Sequence, residues 1–181
     1  MNKTLDKIEC LVLDAEDKVV RDFLIELLKR DRELAQRFTR RISSKITEND
    51  VRQLERRIDK VIHRHAGYEN YLEYDQIEKF VADLMMLITE EIGPLVKKKA
   101  NLAAFKLVNY IILEVRKVDI DDLEGELFEV SSECQYIWED ILKNATTPEK
   151  ENMYLWFKTQ LDQYKYYFGY SEIEVICEKY F

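Results

Sequence analysis

The sequence predicts an all-α protein: an irregular bundle or short superhelix of stacked antiparallel helical hairpins, with eight to nine helices in one domain over residues 1–181. Three observations predict it. Apolar residues return at i, i+3, i+4 and i+7 along most of the chain, the period that lines one side of an α-helix. Only four glycines and two prolines interrupt that pattern, at Gly67, Gly93-Pro94, Gly125, Pro148 and Gly169. Ser, Thr or Asp stands where several of the stripes resume, as N-cap residues do. The connections are short, so successive helices are expected to pack as antiparallel pairs.

Leu5, Ile8 and Val12 give a short first helix over residues 3–13. From 16 to 30 the pairs Val19/Val20, Phe23/Leu24 and Leu27/Leu28 recur every four residues and define the second. Asp31 caps a third, with Leu34, Phe38 and Ile42 inward and Arg37, Arg40, Arg41 and Ser44 outward; a break follows at 43–47. Thr47 and Asp50 form an N-cap signal for a fourth helix whose inner stripe is Val51, Leu54, Ile58, Val61 and Ile62. Gly67 ends it, since glycine takes the left-handed conformation at little cost.

Asp75 and Glu78 read as a capping box ahead of Ile77, Phe80, Val81, Leu84, Leu87 and Ile88, and Gly93-Pro94 ends or kinks that helix. Residues 100–118 are apolar on most sides and are expected to be the most buried element. Asp121 or Asp122 opens the next helix, with Gly125 in its first turns and Leu127, Val130, Cys134, Ile137 and Ile141 inward. Thr147 with Pro148 starts another, which carries Met153, Phe157 and Leu161 and stops at Gly169. Ser171 and Glu174 form a second capping box before Ile173, Ile176 and Cys177. No segment reads as a strand.

A chain of 181 residues can bury a core without metal or disulfide support. The 35% of charged residues leaves no uncharged run long enough to span a bilayer, so no membrane role is expected. The start of the chain lacks the features of a secretory signal, and its three cysteines, Cys10, Cys134 and Cys177, fall far apart. A cytoplasmic protein with reduced thiols is expected. The net charge of −8 disfavours wholesale coating of nucleic acid. From Arg37 to His65, however, nine Lys/Arg stand against four Asp/Glu, a local balance of +5; within the single domain, basic N-terminal helices over 1–66 and a main stack over 67–181 could form sub-units.

Residues with chemistry are sparse. His63 and His65, the only histidines, diverge on a helix by about 200° and cannot chelate one ion together. The acidic run Asp119, Asp121, Asp122, Glu124, Glu126 fails the register of a calcium loop, because the glycine falls one place late and Val130 occupies the position of the bidentate glutamate. Glycine-rich phosphate loops, a nucleophile elbow and a zinc-protease motif are all missing, so no catalytic residue, metal or cofactor is assigned. Arg52, Arg56, Lys60 and His63 recur at i, i+4, i+8 and i+11 opposite the apolar stripe of the fourth helix. Arg52, Arg56, Lys60 and Arg64 are the candidate contacts to phosphate or to an acidic partner, with Glu55 and Asp59 interleaved as local ion-pair partners. Twelve of the 21 aromatic residues lie from Tyr136 onward, read as core packing with surface left over for a dimer patch.

The stretches RDRELAQRF (30–38), RRIDKVIHRH (56–65), YLEYDQIEKFVADLMM (71–86) and DIDDLEGELFEV (119–130) resemble the helical region found beside SWIM-type zinc fingers in bacterial proteins. The likeness runs from about residue 19 to 145 and rests on helix caps and apolar spacings; the CxC and CxH zinc ligands are missing here. What the resemblance implies is a stack of α-hairpins serving as a partner-binding accessory. The expected function is therefore a noncatalytic protein-interaction or scaffold module with an unknown protein partner or a second copy. A nucleic-acid accessory using the basic face at 37–65 is the alternative, and an enzyme with a dispersed site the second.

Overall fold

Val51, Leu54, Ile58, Val61 and Ile62 return with the period of a helix, and the side of the helix that they share is buried. The same holds for most of the apolar stripes that follow in the computed structural model, which describes residues 3–42, 46–120 and 125–181, while Leu161 and Cys177 are only partly buried. The side chains of residues 3–6, 40 and 41 lie outside that description. The chain forms two compact units, 1–43 and 44–181. The fourth helix packs on those that follow it.

The first unit holds α1 (Lys3–Asp14), α2 (Asp17–Arg30) and α3 (Arg32–Ile42). The Asp31 carboxylate accepts from the Leu34 N–H at 2.9 Å, the cap expected from the sequence. Helices α2 and α3 pack together, and Val20, Leu24, Leu28, Leu34 and Phe38 are half-buried.

The second unit is a bundle around α7 (Asn101–Val115), which meets α4 (Glu48–Ala66), α6 (Gly93–Lys97) and α8 (Phe128–Asn144). Helix α5 (Ile77–Leu87) packs on α4 and α8; α9 (Thr147–Gln163) and α10 (Tyr170–Tyr180) pair with each other, and α10 also packs on α8. Ala104, Leu107, Val108, Ile111 and Ile112 of α7 are fully enclosed, as expected for the most apolar element. The Trp138 indole N–H donates to Asn109 Oδ1 at 3.0 Å, which satisfies both polar groups inside the core. Phe157 meets Trp138 and Phe105 edge-on. Arg116, at the end of α7, donates Nε to the Phe168 carbonyl at 2.8 Å and Nη1 to Gln160 Oε1 at 2.6 Å, fastening the α9–α10 connection.

Several boundaries differ from the sequence reading. Of the two outcomes expected at Gly93-Pro94, an end or a kink, the end does not occur: α5 runs through a π-helical turn (Ile88–Ile92) directly into α6. Pro94 offers no N–H and its ring crowds the carbonyl four residues back; the wider turn, with the Gly93 N–H on the Ile88 carbonyl, accommodates it. Counting that run as one rod gives nine helices among the described residues. Asp75 lies in a 3₁₀ turn (Tyr74–Gln76) with no side-chain cap.

Gly125 has φ +75°, outside helical space, so α8 starts at Phe128; the proposed opening at Asp121 or Asp122 lies outside the described residues. The cap of α9 is Thr146, one residue early, with the Glu149 carboxylate accepting from its N–H and hydroxyl at 2.8 Å each. Helix α10 begins at Tyr170 behind Gly169, so Ser171 lies inside it and caps nothing. A two-residue parallel pair, β1 (Tyr71–Leu72) with β2 (Asp119–Ile120), joins two interhelical connections. It is too short for a period-two pattern to register in sequence.

Candidate functional site

Thr47 and Asp50 cap α4 reciprocally, with the Thr47 N–H on Asp50 Oδ2 at 2.9 Å, and so fix where the helix starts and which side faces inward. With the apolar stripe buried, Arg52, Arg56, Lys60 and Arg64 are all exposed along the opposite side. Arg52 lies 3.6 Å from Glu48, and Arg64 3.2 Å from Asp83 of α5. Among the described residues Arg56 and Lys60 form no ion pair. The two interleaved acids are turned away from them. Glu55 pairs with Lys106 of α7 at 3.0 Å, and Asp59 accepts from the Tyr110 hydroxyl at 2.7 Å, so both lean toward the neighbouring helix. Burial, reinforced by Asp59, pushes the Tyr110 phenol above its ordinary range.

The rest of the basic segment is dispersed. Arg57 points into the bundle, 2.6 Å from Glu91 of the π turn. His65 contacts Asp83 at 2.9 Å and His63 stacks edge-on against Tyr68, so the two imidazoles do not converge. Arg37 is half-buried, while Lys45 and the side chains of Arg40 and Arg41 lie outside the described residues.

A cleft of about 410 Å³ runs between the π turn with α6 and the outer side of α8, lined by Glu133, Tyr136, Asp140 and Lys97. A second, of about 660 Å³, lies beside the start of α7 and is lined by Lys98, Lys99, Lys106, Glu48 and Glu149. Neither contains the buried reactive groups. Cys134 is enclosed in the core, where burial pushes its thiol up, and Glu172 is buried against the Ser131 hydroxyl at 2.8 Å. Among the described residues no three His, Cys, Asp or Glu side chains form a metal cluster, and no helix is long and apolar enough to cross a membrane.

The surface that sequence reasoning missed lies in the first unit. No described residue from 7 to 42 is buried. Ile8, Leu11 and Val12 share one side of α1 and are 51–70% exposed, while on α2 Val19 and Phe23 are 58% and 62% exposed. Ile42, expected inward, is 67% exposed. The signal was present in the doubled stripe of α2, because two adjacent apolar rows are more than one neighbouring helix covers. The aromatic residues of the C-terminal part divide: Trp138 and Phe157 are core, whereas Tyr136, Tyr166 and Tyr167 are exposed.

The molecule is thus an all-α bundle preceded by a helical unit whose apolar side chains are at best half-buried among the described residues. Comparison of the chain with family models, with curated proteins and with solved structures gives no match.

Proposed function

We propose that the chain is a noncatalytic, cytoplasmic helical interaction module that meets a protein partner through the apolar side of residues 1–43. The observation that carries this reading is the uncovered apolar surface of α1 and α2. Helices of 12 and 14 residues are marginal in water without a packed face, so such a surface is suited to completion by a partner. The partner-binding accessory role implied by the likeness to helices beside SWIM-type zinc fingers agrees with it. The test is affinity purification of the full chain beside a Phe23→Asp variant. With an untagged copy of the chain co-expressed, a stoichiometric protein, foreign or the untagged copy itself, retained by the first and lost by the second is expected; identical recoveries would overturn the reading.

A second reading rests on a separate observation, the diversion of Glu55 and Asp59 to α7, which leaves Arg56 and Lys60 available for phosphate. In it the chain is a nucleic-acid accessory with Arg52, Arg56, Lys60 and Arg64 as backbone contacts. Anisotropy of a labelled oligonucleotide at low salt tests it. Binding that weakens with salt and when the four become Gln supports the reading, and its absence removes it.

A further inference from the structure

We infer that the partner of the N-terminal helices is a second copy of this chain, the two copies joining α1 and α2 through their uncovered apolar sides into one helical bundle. The inference rests on the interaction reading above and names its partner. Three observations carry it.

The first is incompleteness. Nine large apolar side chains of residues 8–42 are 36–77% exposed, and no described residue from 7 to 42 is buried. Helices α2 and α3 cover Val20, Leu24 and Leu28 only by half, so this unit is half a core. An identical half is a complement of the right kind, because a two-fold contact needs only one surface that matches itself.

The second is area. The six that lie on the α1 and α2 stripes, Ile8, Leu11, Val12, Val19, Phe23 and Leu27, offer roughly 100 Å² each, on the order of 600 Å² per partner and about 1,200 Å² in all, the lower end of what a stable interface buries. A face of that size, rich in Leu, Ile, Val and Phe, resembles the core of a homodimer more than the polar patch of a transient contact.

The third is charge. Residues 1–43 hold ten Lys/Arg and nine Asp/Glu, a balance of +1, whereas 44–181 hold −9. On α2 the charges are also compensated within the helix, Arg21 with Asp17 and Arg30 with Glu26. A near-neutral face neither selects a strongly charged partner nor repels its own copy. It also lacks the excess of Lys/Arg with which amphipathic helices hold anionic lipid.

The charge of the second unit sets a distinctive expectation. Two bodies of −9 repel each other across the dimer, and salt screens that repulsion while leaving apolar contacts intact. Association should therefore tighten as salt rises, the opposite of binding to nucleic acid.

The test is sedimentation equilibrium of the full chain from micromolar to several hundred micromolar, at low and high salt. The expected result is a concentration-dependent passage from 21.8 kDa to twice that mass, favoured by salt. Leu11→Asp with Phe23→Asp should weaken association at least about a hundredfold while the far-UV signal of the second unit persists. A mass of 21.8 kDa at every concentration and salt overturns the inference, whether or not the variant folds. In that event a heterologous protein still retained by the wild type and lost from Phe23→Asp leaves the interaction reading standing. Monomeric chain that floats with phosphatidylserine vesicles instead assigns the face to a lipid surface and overturns both.

Discussion

Arg57 of α4 and Glu91 of the π turn form an ion pair at 2.6 Å with only 18% and 7% of their side chains exposed, so the segment where α5 passes into α6 is held to α4 by charge inside the bundle. Deleting one partner strands the other in a poorly solvated site. Glu91→Ala is expected to cost about 2–4 kcal/mol, and Arg57→Met combined with Glu91→Leu substantially less than Glu91→Ala alone. Urea denaturation of the variants checks this; an additive double mutant would show that the pair is not coupled.

Gly169 joins two constraints. Its φ is +76°, and a Cβ there would lie 2.9 Å from Ile112 Cδ1 in the core. Gly169→Ala should lower stability by about 1–3 kcal/mol through strain and overpacking together. Gly125 also has positive φ but open space around it, so alanine there should cost only about 1 kcal/mol, whereas Gly67, equally open, sits at φ +63° and ψ −157°, a region glycine alone adopts readily, and alanine there should cost about 1–3 kcal/mol from strain alone. Thermal melts of the three variants should rank accordingly.

Acid should loosen the molecule through identifiable carboxylates. Hydrogen bonding from Lys179, helped by Gln135, holds Glu139 below its ordinary pKa, and the Thr146 backbone N–H does the same for Glu149. Their stabilisation is complete above the unfolded value of about 4.3 and fades as the pH falls through the lowered folded values. Glu139→Gln should flatten the acid limb of the stability curve and leave the neutral side with the same slope. An unchanged limb in pH-dependent denaturation would refute the assignment.

The three thiols should separate by reactivity. Cys10 is exposed, Cys177 partly covered and Cys134 enclosed, with burial raising the pKa of the latter two. Alkylation followed by mass spectrometry should modify Cys10 first, Cys177 more slowly, and Cys134 only at the rate of unfolding. Modification of Cys134 at the rate of Cys10 would contradict the core packing.

The parts of the fold that local chemistry dictates were legible in the sequence. The period of Val51 to Ile62 gave both the extent and the inner face of α4, and Thr47 with Asp50 gave its start. The apolar girth of α7 announced its central place. What escaped depends on neighbours remote in sequence. Glu55 and Asp59 are spaced to pair within α4, yet Lys106 and Tyr110 take them, and no pattern in α4 records that competition. The β pair is likewise decided by what lies alongside, whereas the π turn answers to Pro94 and the uncovered stripe of α2 to its own doubled apolar rows. The four basic residues were placed correctly on one exposed face; their freedom from the interleaved acids required the tertiary structure.

The short parallel pair has a consequence for how the second unit closes. Beside the β1–β2 pairing itself, the Asp119 amide donates to the Asn70 carbonyl at 2.8 Å and so helps lace the α4–α5 corner to the stretch after α7. That bond exists only when α5, the π turn, α6 and α7 have all been gathered between its ends. Deuterium uptake at that single amide is then a gauge of whether the entire loop of helices is shut, where amides inside each coil report merely on their own fraying.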